Sequence, residues 1–399
     1  MIANQLTTSI NTFFGKSFFT NPKYIACIWI ILAAISGLKQ YLRGISGYNN
    51  YLIFKNVFYH TYNQLNLYES YPTEYLDHNH YGPLFSLIIA PFAILPDYLG
   101  LIFWNIANAV ALAFAISQLP LQKSQINAIL WICAHELLTA LLSVQFNPMM
   151  TSIILLSFVY IEKEKDFWSA MFIVLGIFIK IYGIVGLAFF FFSKHKTKFI
   201  ASLFFWSIVF FSLPMIISSP TFIVQSYQDW FERLALKNAD NANLNSRQDI
   251  CLMGMVRRIF NNPQISNIPI LISGLVLFGL QYLRISQYKQ QAFRLMLLAS
   301  VLIFTVIFST GSESPTYIIA FVGVGIWIVI QPKPITILYI ILFIFAVILT
   351  SLSPSDLFPK FIRENYINKY ALKALPCILI WFAIVYEMCT KKFQIYRSI

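Results

Sequence analysis

The run FWSAMFIVLGIFIKIYGIVGLAFFFFS, residues 167–193, is 27 residues long and carries a single charged residue, Lys180. A helix that crosses a bilayer needs about 20 mostly apolar residues, so this run is long enough to span a membrane. A lysine in the middle of such a run is costly unless it meets an anion or interrupts the helix. We therefore predict a membrane-spanning segment that breaks at Lys180, which would divide it into two half-helices.

Apolar runs of this kind recur along the whole chain. Of the 399 residues, 58% are apolar and 11% are charged, and the mean hydropathy is +0.68, whereas a soluble domain carries about 25% charged residues. Spanning segments must satisfy their backbone hydrogen bonds internally, and the long runs do not resemble the alternating strands of a barrel. The sequence therefore predicts an all-α polytopic membrane protein that forms one integral-membrane domain over residues 1–399. The predicted spans, about twelve, are 24–40, 83–96, 99–117, 126–143, 147–161, 167–193, 199–217, 264–283, 293–310, 316–331, 334–350 and 373–388.

The basic residues behind the formal net charge of +12 are distributed unevenly, and their positions predict how the chain is oriented across the membrane. Basic residues gather in short connections and at both ends of the chain, as they do on the cytoplasmic side of membrane proteins. No basic–aromatic motif for nucleic acid is present. With twelve crossings, we expect both termini in the cytoplasm and three long outer loops, 41–82, 218–263 and 351–372. The basic clusters are Lys16 with Lys23; Lys194, Lys196 and Lys198; Arg284, Lys289 and Arg294; and Lys391, Lys392 and Arg397.

A polar stretch, NNYLIFKNVFYHTYNQLNLYESYPTEYLDHNHYGPL, residues 49–84, covers most of the first outer loop and holds three of the five histidines. An enzyme that acts on an acceptor hydroxyl needs a general base near the membrane surface. Asp77 and Glu74 are three residues apart, so one helical turn would place both on one face. His78 and His80 could instead bind a metal ion together with one of these carboxylates. The alternative is a solvated polar loop.

Glu136 lies inside the predicted span 126–143. An intramembrane carboxylate is a functional hypothesis by default because it is costly to bury. The alternative is that it lies near the end of the span and pairs with Lys123 or with His135.

Two amides and a lysine mark the junctions of later spans. Gln145 and Asn147 flank the start of a helix, and they would either face a cavity or only cap the helix. Lys180 would either bind a phosphate, since an ammonium attracts phosphate as a point charge, or mark a helix break at a surface.

The second outer loop is rich in arginine. Arg257 and Arg258 could clamp a phosphate, or they could anchor the adjoining span at the lipid headgroups. In the later connection SESPTY, residues 312–317, a proline explains the turn but nothing in the sequence explains Glu313.

Over roughly residues 48–330, the chain carries a series of short motifs whose order resembles that of glycosyltransferase family 87. This family, also called DUF2029, is a polytopic family of the GT-C class. The resemblance lies in the order of the motifs, since each one is short and degenerate. The matching segments are Asn50–Phe54, Leu67–Tyr68, Tyr81–Phe85, Pro91–Pro96, Trp104–Asn105, Gln145–Asn147, Lys180–Tyr182, Leu252–Gly254 with Arg257 and Arg258, and Ser314–Tyr317.

The resemblance implies a GT-C-like bundle in the bacterial inner membrane that acts as an inverting hexosyltransferase, typically a mannosyltransferase. Its donor would be a polyprenyl-phosphate sugar and its acceptor a lipid or glycan of the envelope, on the outer face. A carboxylate would take the acceptor proton, and basic groups, with or without a divalent cation, would stabilise the leaving phosphate. We expect Asp77 as the base, with Glu74 as its substitute. The expected substrate-binding residues are Asn49, Asn50, Tyr51, Tyr68, His78, His80, Tyr81, Gln145, Asn147, Lys180, Arg257, Arg258 and Tyr317.

One departure from the family bears on activity. The family usually has an acid at the opening of the first loop, where this chain has Asn49 and Asn50, and an asparagine cannot serve as a base. Either Asp77 or Glu74 has taken the role, or the aromatic frame is shifted, or activity has been lost. The competing hypotheses are accordingly an inactive relative that only binds a lipid-linked sugar, and a flippase or transporter of lipid-linked sugars.

Overall fold

The computed structural model describes residues 20–244, 246–355 and 357–393. Within these ranges the regular structure is helical and no β-strand occurs, as the sequence predicts. The α-helices are α1 (Pro22–Leu42), α2 (Ile45–Asn63), α3 (Phe85–Ala93), α4 (Asp97–Ser117), α5 (Lys123–Leu142), α6 (Asn147–Glu162), α7 (Asp166–Ile179), α8 (Lys196–Ser212), α9 (Pro220–Asn241), α10 (Leu252–Ile259), α11 (Asn267–Leu280), α12 (Gln291–Ile307), α13 (Tyr317–Val329), α14 (Ile337–Phe345) and α15 (Leu375–Thr390). Segments of 3₁₀, π or single-turn helix are Ile181–Phe192, Leu213–Ile216, Gln281–Leu283, Ile285–Gln287, Ser314–Thr316, Ala346–Leu352, Lys360–Ile362, Arg363–Asn368 and Leu372–Ala374.

Several helices have the length and composition of membrane spans. Five are long and apolar enough to cross a bilayer: Pro22–Leu42, Asp97–Ser117, Lys123–Leu142, Lys196–Ile216 and Leu372–Thr390. Further apolar helices of 10–17 residues lie between them, so the chain is an integral membrane protein. The count of twelve spans stays a prediction. The predicted span 83–96 contains only the nine-residue helix α3, which has Pro91 inside it.

The predicted break at Lys180 is confirmed. Helix α7 ends at Ile179, Lys180 is extended (φ −151°, ψ 107°), and a 3₁₀ helix of 12 residues follows. The two segments pack so closely that only glycine fits at position 183: a Cβ there would lie 2.3 Å from the carbonyl carbon of Gly176. The break places the Lys180 side chain between the end of α7 and the start of the 3₁₀ helix.

Buried aromatic rings pack the first half of the bundle together. Phe54 of α2 lies edge-on to Tyr81 and to Phe85, with ring centroids 5.1 Å apart in each case. Trp104 of α4 stacks on Phe146, which precedes α6, at 6.1 Å. Such ring pairs stabilise a core beyond the area they bury, and this cluster supports the loop that leads into α3.

The segments predicted as outer loops contain helices. Residues 41–82 include all of α2, and residues 218–263 include α9 and α10. In α9 the buried residues Ile223, Ser226, Tyr227 and Trp230 follow the i, i+3, i+4, i+7 spacing of an amphipathic helix. The Ser219 hydroxyl accepts a hydrogen bond from the backbone N–H of Phe222 and so caps that helix. The side of the membrane on which these segments lie stays a prediction.

The positions of the chain ends also stay a prediction. Lys16 and Arg397, which contribute to the predicted cytoplasmic charge at the two ends, lie outside the described residues.

Candidate active site

Five of the predicted site residues of the first loop meet Lys180 in one cavity of about 330 Å³. The cavity is formed by α2, the loop before α3, the connection between α5 and α6, the break at Lys180, helix α9 and the segment between α12 and α13. The predicted residues that line it are Asn50, Asp77, His78, His80, Tyr81, Gln145 and Lys180. Among its other lining residues are Tyr182, Trp230, Lys237, Asn238, Ser309 and Glu313.

The loop that carries Asp77 is held by hydrogen bonds to its backbone. The hydroxyl of Tyr68 donates to the Tyr81 carbonyl at 3.0 Å, and the Trp230 indole N–H donates to the His80 carbonyl at 2.9 Å. The carboxylate of Asp77 is exposed at the cavity and accepts from the backbone N–H of His78 at 2.8 Å. Asp77 therefore keeps unused lone pairs that can accept a proton from a hydroxyl.

Glu74 does not share the cavity with Asp77. The expected helical turn is not formed, and the Glu74 carboxylate lies 2.8 Å from Nε2 of His60. Burial lowers the pKa of His60, although Glu74 opposes this effect. The two carboxylates therefore lie in different environments, contrary to the expectation of a common face.

His80 is a neutral imidazole in the cavity wall. Burial, helped by the nearby charges of Lys237 and Arg233, lowers the pKa of His80 to about 3, although Asp77 opposes this effect. Both of its ring nitrogens are buried without a hydrogen-bond partner among the residues that the structure describes. His78 is partly exposed, and burial also lowers its pKa. In the described ranges, no group of three or more His, Cys, Asp or Glu side chains is placed to hold a metal ion.

Lys180 presents its ammonium to the cavity between polar and aromatic partners. Its Nζ donates to Oδ1 of the buried Asn147 at 2.9 Å and lies 4.9 Å from the centroid of the Tyr182 ring and 5.7 Å from that of Tyr81. An ammonium has three donors, so this hydrogen bond leaves donors for an anion. Asn147 itself does not line the cavity, and the structure gives it the role of orienting Lys180.

Glu313 is a second carboxylate of the cavity, which the sequence did not explain. Its Oε1 accepts from Nε2 of Gln145 at 3.1 Å. Burial raises the pKa of Glu313, and the positive charges of Lys180 and Lys237 oppose this shift. Glu313 and Lys180 are therefore electrostatically coupled across the site.

The two asparagines at the family's acid position make backbone contacts. Oδ1 of Asn49 accepts from the Leu76 N–H at 2.8 Å, and Nδ2 of Asn50 donates to the Ser143 carbonyl at 2.8 Å. Only Asn50 lines the cavity. Both residues hold the loop and α2 in place, and neither can accept a proton as a base.

Three predicted tyrosines are buried outside the cavity. Tyr51 donates to the Phe92 carbonyl at 2.9 Å, and Tyr317 donates to the Ile250 carbonyl at 2.8 Å. Both are fully buried, and Tyr68, which bonds the loop as described above, is 7% exposed. None of them lines the cavity, and only Tyr68 is hydrogen-bonded to a residue that does, namely Tyr81.

Arg257 and Arg258 bind within their own segment. The guanidinium of Arg257 donates to Oδ2 of Asp249 at 2.5 and 3.0 Å, and Arg258 donates to the Asp249 carbonyl at 2.7 Å. The backbone N–H of Asp249 in turn donates to the Thr310 carbonyl at 3.0 Å. Neither arginine lines the cavity of Lys180, and Arg257 lies at the wall of the adjoining groove instead. These bonds hold residues 246–250 against the segment between α12 and α13.

A larger and mainly apolar groove of about 810 Å³ adjoins the cavity. The two share Ile181, Tyr182, Asn238, Ser309 and Thr310. The rest of the groove is lined largely by aliphatic and aromatic side chains, among them Ile184, Val185, Met253, Ile268, Leu271, Phe304 and Phe308. A polar site therefore opens directly onto an apolar one.

Sequence reasoning missed the contribution of helix α9. Trp230, Lys237 and Asn238 come from this helix, which was predicted as part of a loop. The spacing of its apolar residues was the available signal. Glu313 was noticed beside its turn, but no pattern in the sequence linked it to Lys180.

A model of one protein family matches more than half of the chain. The family model described as glycosyltransferase family 87 matches residues 79–310. The matched range contains His80, Lys180 and α9, while Asp77 and Glu313 lie just outside its two ends. No curated protein matches the chain.

Proposed function

The chain belongs to glycosyltransferase family 87, and from this premise we propose that it transfers a hexose, in the first instance mannose, from a polyprenyl-phosphate carrier to a lipid or glycan acceptor. The reaction would take place on the outer face of the bacterial inner membrane, in a GT-C-like bundle of about twelve spans with both termini in the cytoplasm. The observation that carries the proposal is the cavity in which Asp77, His80 and Lys180 meet beside an apolar groove.

Lys180 is proposed to bind the phosphate of the donor. Its ammonium keeps donors beyond the hydrogen bond to Asn147, and a positive charge in a partly dry site stabilises the phosphate more than it would in water. Glu313 is proposed to orient this ammonium from the other side through its charge. The groove next to Tyr182 would hold the hydrocarbon chain of the carrier, which favours a lipid-linked donor over a nucleotide sugar.

Asp77 is proposed as the general base. It would take the proton of the acceptor hydroxyl while that oxygen forms a bond to C1 of the sugar and the bond from C1 to the phosphate oxygen breaks. The electron pair would leave with the phosphate, and attack opposite the leaving group inverts the configuration at C1. The neutral ring of His80 would hydrogen-bond a sugar or acceptor hydroxyl, because its nitrogens have no other described partner.

The competing transporter hypothesis requires intramembrane charges along a through-path. Among the buried charges of the described helices, Glu136 and Lys373 bind each other without lining either of the two cavities described above. The arrangement thus favours the transferase.

The experiment is transfer from radiolabelled polyprenyl-phosphate mannose by the purified protein in proteoliposomes that contain envelope lipids. We expect label in the acceptor, and we expect Asp77→Asn to lower the rate by about 100-fold or more, since general-base catalysis contributes about 10²–10⁴. Asp97→Asn is the matched control, because Asp97 pairs with Lys55 at 2.7 Å away from the cavity.

Each result has a definite consequence. Full activity of Asp77→Asn would remove Asp77 from the base role and leave Glu313 as the other carboxylate of the cavity. Donor binding by the wild type without any transfer would instead support the inactive relative that Asn49 and Asn50 suggest.

A further inference from the structure

A buried ion pair lies behind the cavity wall that carries Glu313. Glu136 of α5 is fully buried and Lys373 is 2% exposed, and Nζ of Lys373 donates to the two carboxylate oxygens of Glu136 at 3.0 and 3.1 Å. The alternative in which Glu136 pairs with Lys123 or His135 is wrong. The fold brings it a partner 237 residues away instead.

The same ammonium reaches the turn next to Glu313. Nζ of Lys373 also donates to the hydroxyl of Ser314 at 3.1 Å, and it lies 5.0 Å from the centroid of the Tyr317 ring. An ammonium has three donors, and these contacts use all of them. A buried charge is stable only when it is paired and hydrogen-bonded, so the ammonium is confined to one position relative to the turn.

Ser314 begins the 3₁₀ turn that Glu313 caps. The backbone N–H of Thr316 donates to the Glu313 carbonyl at 2.9 Å, and the Glu313 N–H donates to the Thr316 hydroxyl at 3.2 Å. The position of Glu313 therefore depends on the position of this turn. Because Glu313 acts on Lys180 through its charge, a shift of the turn changes the field at the ammonium in the cavity.

We propose that Glu136 and Lys373 are positioning residues: they hold Ser314, and through it Glu313, where the charge of Glu313 orients Lys180. The inference rests on the proposed function. A role in stability alone explains the pair less well, because replacing a buried ion pair by apolar residues is often neutral or stabilising. The contact from Lys373 to the turn gives the pair a task that apolar residues could not perform.

The test is Ser314→Ala, which removes the contact to the turn and keeps the ion pair. We expect kcat of sugar transfer to fall about tenfold with the acceptor KM unchanged, since a displacement of about 1 Å can cost up to about 100-fold in rate. Ser314→Thr keeps the hydroxyl and should restore most of the lost rate. The matched control is Ser300→Ala, because Ser300 is a buried serine that also accepts a side-chain hydrogen bond, from Trp381 at 3.1 Å, away from the cavity.

Equal kcat values for Ser314→Ala and Ser300→Ala would overturn the inference. If the wild type transfers no sugar, the proposed function fails, and the inference is then decided by the Kd for polyprenyl phosphate. Weaker binding by Ser314→Ala than by Ser300→Ala would support the positioning role, and equal binding would overturn it.

Discussion

Replacing Lys373 with methionine would leave the carboxylate of Glu136 buried without its counter-charge. The side chains of Glu136 and Lys373 are 0% and 3% exposed, so water cannot take the place of the lost ammonium. The substitution also removes the three hydrogen bonds of Lys373, two to Glu136 and one to Ser314. Removing one partner of a buried pair costs about 3–5 kcal/mol, and we expect the free energy of unfolding to fall by about this amount.

A double variant separates the unpaired charge from the loss of packing. Glu136→Leu together with Lys373→Met removes both charges and keeps apolar volume at both positions. Such replacements are often neutral or stabilising by about 1–4 kcal/mol. We therefore expect the double variant to be close to the wild type in stability, and clearly more stable than Lys373→Met alone.

The assay is unfolding in mixed micelles with increasing SDS, followed by tryptophan fluorescence. The control is Lys194→Met, which breaks an ion pair of 2.5 Å with Glu164 whose side chains are 63% and 50% exposed. Exposed pairs contribute little, so we expect no measurable change from this control. The reasoning is refuted if Lys373→Met is no less stable than Lys194→Met, or if the double variant is as unstable as the single one.

Two further predictions concern the cavity. We expect Lys180→Met to lower kcat/KM for a polyprenyl-phosphate donor by about 100-fold or more, because removing one group that stabilises developing charge costs about this much. An unchanged kcat/KM in the radiolabel transfer assay would exclude Lys180 from the phosphate site. His80 has a pKa of about 3 in the fold against a usual value of 6.5, so below pH 6.5 the unfolded chain binds the extra proton and stability falls as the pH falls towards 3. His80→Gln should flatten that part of the profile of Tm against pH, and a profile identical to that of the wild type would contradict the buried neutral imidazole.

Some of the site could be predicted because local chemistry marks it. Lys180 is conspicuous as the single charge of a long apolar run, and the polar loop before α3 is conspicuous between apolar segments. Asp77, His80 and Lys180 do line one cavity, although no spacing in the sequence brings them together.

Other parts could not be predicted because the partner of a group is a property of the packed chain. Arg257 and Arg258 look available for a phosphate in the sequence, yet they bind Asp249 and backbone carbonyls of their own segment. A loop that folds back on itself has no periodic signature that would reveal these bonds. The same holds for Glu74. Its spacing from Asp77 predicts a shared helical face, but in the structure its carboxylate lies against His60.

The sequence by itself determined the helical membrane class and the break at Lys180. Both follow from local quantities, namely the apolar content of a run and the cost of a charge within it. Only the tertiary structure decided that Glu136 is neutralised by Lys373, that α9 supplies Lys237 to the cavity, and that an apolar groove adjoins it. These features depend on contacts between helices far apart in the chain, and hydrophobicity alone does not specify which polar groups such packing brings together.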